Sequence, residues 1–166
     1  MMKGFYYPHR NEKNPINNAD IIYTPDVTVF KTDTNKPKLM DEKDWYEVDV
    51  ITCAAPNLRE RPSNRFNQGN GDRAVKVSDR ELLEIHKQRL TRILDVAVLN
   101  GDEAVILGAF GCGAFQNKPE VVARAAKEVI ADYLYAFKTI EFAVYCPPRD
   151  DTNFKVFKWV MGAIKN

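Results

Sequence analysis

Gly111-Cys112-Gly113-Ala114-Phe115-Gln116 follows an apolar run, Glu103 to Phe110, and precedes Asn117-Lys118-Pro119-Glu120, which has the residue types of a helix start. A strand, a glycine loop and a helix start in that order present several backbone N–H groups to one point. The helix dipole adds roughly half a positive charge there. Gly111 and Gly113 leave room for a phosphate to approach the backbone without a side chain in the way. The chemistry such a segment suits is anion or phosphate binding. The plainer alternative is a tight strand-to-helix turn, because the motif is neither G-x-G-x-x-G nor a P-loop with its Lys-Ser/Thr.

Cys112 lies in the same loop, where a helix N-terminus can lower a thiol pKa and a nearby base could activate it. Only His9 and His86 are available as bases. His9 falls in an irregular segment and His86 at an interior helical position, so Cys112 reads as a small space-filling residue and His86 as a helix residue with a satisfied nitrogen. Neither histidine has an acidic cluster around it, and none of Cys53, Cys112 and Cys146 has a CxxC spacing, so no metal site is expected. No catalytic residue and no cofactor emerge from the sequence. Phe115, just after the glycines, and Phe154, at the start of the last helix, could stack on a base or sugar or could equally be core.

From Tyr46 onward the chain alternates strand and helix. Val48 to Ala55 is a short apolar strand closed by Pro56-Asn57. After a polar loop, Leu58 to Val77, with Asn67 to Asp72 as its most flexible part, Ser78-Asp79-Arg80-Glu81 has the form of a capping box. The helix behind it places Leu82, His86, Leu90, Ile93 and Ala97 on one face, and Asn100-Gly101 ends it. Glu103–Phe110 and Thr139–Cys146 are two more buried strands. Between them Asn117 caps a helix whose apolar stripe is Val122, Ala126, Val129, Tyr133 and Phe137, with Pro119 in its first turn. A last helix from about Asp151 turns Phe154, Phe157 and Met161 inward. Alternation of this kind implies a three-layer α/β/α sandwich with a mainly parallel sheet and right-handed crossovers. Ligands bind such sheets beyond the C-terminal strand ends, which selects Ala54 to Asn57, Gly111 to Asn117 and Cys146 to Asn153.

Residues 1–45 differ from the rest, being dense in Asn, Pro, Asp and Lys. They are expected to form an irregular arm of the same domain, in which Ile21-Ile22-Tyr23 and Val27 to Phe30 make a short β ribbon joined by the turn residues Thr24-Pro25-Asp26. Residues 46–166 are expected to be the α/β domain proper. The 24 basic residues nearly balance the 23 acidic ones, so no field directs the chain to nucleic acid or to an acidic membrane. No apolar run approaches the ~20 residues that cross a bilayer, and Met1 to Arg10 lacks a signal-peptide core. The expectation is a reduced, cytoplasmic protein.

The segments VDVITCAAPN, RLTRILDVAVLNGDEAVILGAFGCGAFQNKPEVVARAAKEVI and IEFAVYCPPRDDTNFKVFKWV resemble the C-terminal portion of the microbial-type poly(ADP-ribose) glycohydrolases, which are macrodomain proteins. The resemblance spans roughly Asp20 to Gly162, and LGAFGCGAFQNKP is its most specific part. It implies that Gly111, Cys112, Gly113, Ala114 and Phe115 contact a pyrophosphate and ribose through backbone N–H groups, with Pro56, Asn57, Asn153 and Phe154 near the nucleotide; Asn117, which follows the loop, is a further ligand-binding candidate. Active members of that family carry Gly-Gly-Gly followed by Gln-Glu-Glu, one glutamate serving as general acid. This chain has neither motif, so it looks N-terminally truncated on its catalytic side. The expectation is binding of ADP-ribose or a related nucleotide pyrophosphate without glycohydrolase activity on its own. The alternatives are a glycohydrolase completed by another chain or a longer gene product, and an oligomerising or interaction module with a vestigial pocket.

Overall fold

The structure, a computed structural model, describes residues 13–63, 65 and 71–162. His9 and most of the expected flexible loop tip, 67–70, lie outside the described residues. The elements in order are β1 (Ile21–Val29), β2 (Tyr46–Cys53), α1 (Asp79–Asn100), β3 (Ala104–Leu107), α2 (Pro119–Ile130), β4 (Thr139–Phe142) and α3 (Thr152–Met161).

Helix α1 starts and stops where its residue types direct. Ser78 Oγ accepts from the Glu81 N–H, Glu81 reaches back to the Ser78 N–H, and Gly101 closes the helix in the left-handed conformation at φ 80°. Its expected inner face is buried throughout: Leu82, His86, Leu90, Ile93 and Ala97. Helix α2 differs at both ends from the expectation. Lys118, not Asn117, is its N-cap, and no side chain caps it. It stops at Ile130, so Tyr133 falls in the 3₁₀ turn that follows, although Phe137 is still buried. In α3, Phe157 is buried, but Phe154 is 42% exposed, with the Lys158 ammonium 5.8 Å from its ring centre.

The strands form two ladders among the described residues. β3 and β4 pair in parallel from Ala104↔Thr139 to Leu107↔Phe142. β2 instead pairs antiparallel with β1, from Ile21↔Cys53 to Val29↔Tyr46. The arm's two β-prone runs are thus one strand. The ladder skips between Thr24 and Val27, where Pro25 has no N–H to give and Asp26 takes a positive φ of 57°. Asp49 on β2 steadies this irregularity by accepting the Asp26 N–H at 2.8 Å. Deeper in the arm, the buried Arg89 guanidinium on α1 donates to Ala54 O at 2.8 Å and Ile16 O at 2.7 Å, tying the arm to the end of β2.

The main core joins α1, α2, β3 and β4, with Leu90, Leu94, Val105, Leu107, Ala126 and Val129 at its centre. A smaller cluster of Val122, Ala123 and Phe157 seats α3 against α2. Along β3, Val105 and Leu107 face this core, while Ala104 and Ile106 turn outward and Ile106 is 71% exposed. No helix among the described residues is long and apolar enough to cross a membrane.

Candidate functional site

The parallel pair β3–β4 ends at Leu107 and Phe142, three or more residues earlier than the apolar runs suggest. The chain beyond both strand ends is therefore free to form loops, and the two loops enclose a cavity of about 550 Å³. Ala109, Cys112 and Gly113 line it from the glycine loop. Ala143, Tyr145, Pro147 and Asp150 line it from the other loop, and Thr152 and Asn153 from the first turn of α3. Of the expected site residues, Cys112, Gly113 and Asn153 meet here. Pro147, Asp150 and Thr152 fall within the selected segment Cys146 to Asn153, whereas Ala143 and Tyr145 lie outside it, because the ladder ends at Phe142 rather than Cys146.

The two glycines have different reasons to lack a side chain. Gly111 has φ 78°, and a Cβ on it would lie 2.7 Å from both the Ala55 Cβ and the Asn117 Nδ2. Its missing side chain makes room for protein. A Cβ on Gly113 would meet nothing within 4 Å. The backbone donors divide as well. The N–H groups of Cys112, Gln116 and Asn117 are taken by the carbonyls of Ala109, Gly113 and Gly111, each at 3.0 Å. Those of Gly111, Gly113, Ala114 and Phe115 have no acceptor among the described residues. The first turn of α3 adds N–H groups that no intrahelical carbonyl can reach, with the dipole's positive end behind them.

Asn117, Pro56 and Asn57 lie beneath the loop, fully buried or nearly so. The Asn117 amide NH₂ donates to Pro56 O at 2.7 Å, Gly111 O at 3.0 Å and Phe115 O at 3.3 Å, pinning both ends of the glycine loop to the residues that follow β2. Asn57 holds the next segment by donating its side chain to Pro62 O at 3.0 Å, and its backbone N–H donates to Pro15 O at 2.6 Å. Phe115 is part-buried and accepts the Leu58 N–H through its carbonyl at 2.9 Å.

Cys112 and His86 do not form a nucleophile and base. Burial first, and then the Glu120 carboxylate, push the Cys112 thiol up to about 12. His86 Nε2 is engaged by Asn117 Oδ1 at 2.9 Å, and its ring packs edge-on against Phe110 at 5.6 Å. Among the described residues the one carboxylate lining the cavity is Asp150, held below the ordinary carboxylate range by the Thr152 hydroxyl and then the Thr152 N–H. That direction is opposite to the raised carboxyl that a general acid at a glycosidic bond requires. A larger groove, about 790 Å³, runs between β2 and β3; Glu47, Asp49 and Asp102 on its walls make it a poor place for an anion.

No protein-family model matches the chain. No curated protein matches it either. Solved structures do. The poly(ADP-ribose) glycohydrolase of Deinococcus radiodurans, crystallised in complex with ADP-ribose, superposes with a TM-score of 0.77 at 26% identity, over 97% of this chain and 60% of that one. The enzyme from Thermomonospora curvata gives a TM-score of 0.78 at 26% identity over 96% of this chain and 53% of that one. Its complex with the inhibitor ADP-HPD matches equally well, with a TM-score of 0.78 over 95% of this chain and 55% of that one. The chain therefore spans little more than half the length of these enzymes. By fold it is matched to the macrodomain-like microbial poly(ADP-ribose) glycohydrolases, over a span in keeping with a C-terminal portion of that family.

Proposed function

We propose that the chain binds ADP-ribose or a related nucleotide pyrophosphate at the glycine loop and does not hydrolyse a glycosidic bond on its own. The observation that carries the binding is the loop's donor set. Gly113 lines the cavity, with N–H groups of the loop lacking an acceptor among the described residues, beside the first turn of α3 and beyond the C-terminal ends of two parallel strands. A pyrophosphate suits that set because it brings several acceptor oxygens and negative charge to one place. The relatives crystallised with ADP-ribose and with ADP-HPD support the same ligand class here.

The lack of hydrolysis rests on the acids. Cleaving a ribose glycosidic bond needs a carboxylic acid to protonate the departing oxygen. The chain has no Gly-Gly-Gly stretch and no adjacent glutamate pair, and the Asp150 carboxyl in the cavity is shifted down, not up, by Thr152. Titration calorimetry with ADP-ribose tests the first statement; absence of heat at millimolar ligand with a folded protein overturns it. Incubation with poly(ADP-ribose) tests the second, and release of ADP-ribose by this chain alone overturns that. A glycohydrolase completed by further polypeptide is the second reading, favoured by the 60% coverage of the Deinococcus radiodurans enzyme.

A further inference from the structure

Among the described residues, Arg89 is the one buried side chain with a permanent charge; it is 3% exposed, and the other buried polar groups are Asn57, His86 and Asn117. Taking a guanidinium out of water is costly, and a carboxylate ordinarily offsets that cost. Here no carboxylate among the described residues lies within ion-pair distance. Arg89 meets only carbonyls: Ala54 O at 2.8 Å, Ile16 O at 2.7 Å and Asn17 O at 3.3 Å. Carbonyl dipoles satisfy its N–H groups without cancelling its charge. Its field therefore spreads into surroundings of low polarity. His86, three residues earlier on α1, is lowered by burial and further by the Arg89 charge, against the Asn117 bond. Cys53, raised by burial, is pulled back first by Arg89 and then by the exposed Arg92.

The glycine loop grips the same short segment that Arg89 grips. Arg89 holds Ala54 O, and the Asn117 amide holds Pro56 O together with Gly111 O. Between them, Ala55 lies so close to the loop that a Cβ on Gly111 would fall 2.7 Å from its own. Two residues of extended chain, roughly 7 Å, separate Ala54 from Pro56. We propose that Arg89 is the affinity-determining charge of the glycine-loop site, a buried cation left without a carboxylate so that a bound anion completes its charge balance from across Ala54–Asn57. This rests on the pyrophosphate reading above and adds to it a selection of ligands by charge. The loop N–H groups serve any good acceptor, neutral or charged; Arg89 favours the negative one without touching it. At roughly 10 Å and an effective dielectric constant of about 20, one unit charge changes the affinity for another on the order of tenfold. The Glu120 carboxylate, which faces Cys112, pulls the other way, but it is exposed and so more strongly screened.

Titrations with ADP-ribose and with uncharged adenosine, the latter by ligand-observed NMR, separate the charge from the architecture. Cys53, half-buried and within the Arg89 field, allows the charge to be cancelled while the guanidinium keeps its carbonyls. Cys53→Asp sets a carboxylate there, and Cys53→Asn is its neutral counterpart of the same shape. Cys53→Asp should bind ADP-ribose about tenfold more weakly than Cys53→Asn, with adenosine affinity equal in the two. Arg89→Lys keeps the charge and should stay within about threefold of wild type for ADP-ribose. Arg89→Met should lose about tenfold or more for ADP-ribose and keep its adenosine affinity; should it not fold, the Cys53 pair decides. Equal ADP-ribose affinity in folded Cys53→Asp and Cys53→Asn overturns the proposal and leaves the binding reading intact. So does a loss that strikes adenosine as hard as ADP-ribose, which is what a merely structural role would give. A folded wild type that binds no ADP-ribose overturns the binding reading itself, and this proposal with it.

Discussion

Asn117 and His86, 31 positions apart in sequence, are joined by a buried hydrogen bond of 2.9 Å between Asn117 Oδ1 and His86 Nε2. Three backbone carbonyls surround the Asn117 nitrogen, which fixes the amide orientation and leaves its oxygen facing the ring. His86 must therefore carry its proton on Nε2 and donate it. One bond couples the middle of α1 to the loop that carries the candidate site.

Asn117→Ala should cost about 3 kcal/mol of stability, since it strands the His86 Nε2–H and the Pro56 carbonyl, each worth roughly 1–3 kcal/mol when buried and unpaired. Asn117→Asp should be no better, because its second oxygen would face carbonyls that need a donor. Urea unfolding measures both. A loss below about 0.5 kcal/mol in Asn117→Ala would show that the amide is not what holds the loop.

His86 gives the fold a pH dependence with a definite sign. Burial lowers its pKa below the usual 6.5, the Asn117 bond opposes that, and the Arg89 charge adds to it. As pH falls through 6.5 the unfolded chain takes the proton first, so stability drops from there down toward the depressed folded value. Above 6.5 both states are neutral at this residue and it contributes no slope. His86→Gln keeps an N–H for Asn117 and removes the titration. Unfolding free energies between pH about 7 and about 5 should fall more steeply in the wild type, by up to ~1.4 kcal/mol per pH unit. Parallel profiles would contradict the burial of a neutral imidazole.

The glycines separate folding from binding. Gly111→Ala forces a side chain into a positive-φ position with two contacts of 2.7 Å and should cost about 2–3 kcal/mol, read in the same urea titration. Gly113→Val points into open space, so its unfolding midpoint should stay within experimental error of wild type. Its ADP-ribose affinity should nonetheless fall at least about tenfold, because the isopropyl group occupies the space through which phosphate reaches the backbone. Wild-type affinity in a folded Gly113→Val protein would remove this loop from the binding account.

Periodicity and capping chemistry made α1 legible in advance, because Ser78, Glu81 and Gly101 act on their own neighbours in sequence. The cavity was legible in part for the same reason: a glycine loop between strand and helix is a local pattern. What sequence did not disclose depends on long-range pairing. Asn117 has the residue type of a cap, yet three carbonyls and a histidine from other segments claim its side chain, and Lys118 starts the helix instead. Thr24-Pro25-Asp26 reads as a turn, but Asp49 on β2 lets it bulge within one strand. Phe154 has the right spacing for a core position, but α3 is only ten residues long and its first turn opens onto the cavity. Arg89 carries no motif; its two strong acceptors lie 35 and 73 positions away.

Cysteine labelling tests whether the loop is a binding surface or a nucleophile's seat. Burial, with a smaller contribution from Glu120, pushes the Cys112 thiol from 9.0 up to about 12, which cuts its thiolate about a thousandfold at mildly alkaline pH. Burial also raises Cys53, despite opposing pulls from Arg89 and Arg92. Cys146 is exposed and sterically open to reagent. Iodoacetamide near pH 8 should therefore mark Cys146 first, with Cys112 and Cys53 reacting only after denaturant is added, as peptide mass spectrometry would record. Preferential labelling of native Cys112 would mean that an activating group reaches it, and the loop would then have to be reconsidered as the seat of covalent chemistry. Slow labelling of Cys112 that persists in Gly113→Val, alongside lost ADP-ribose binding, would assign the loop's role to its backbone donors and not to its thiol.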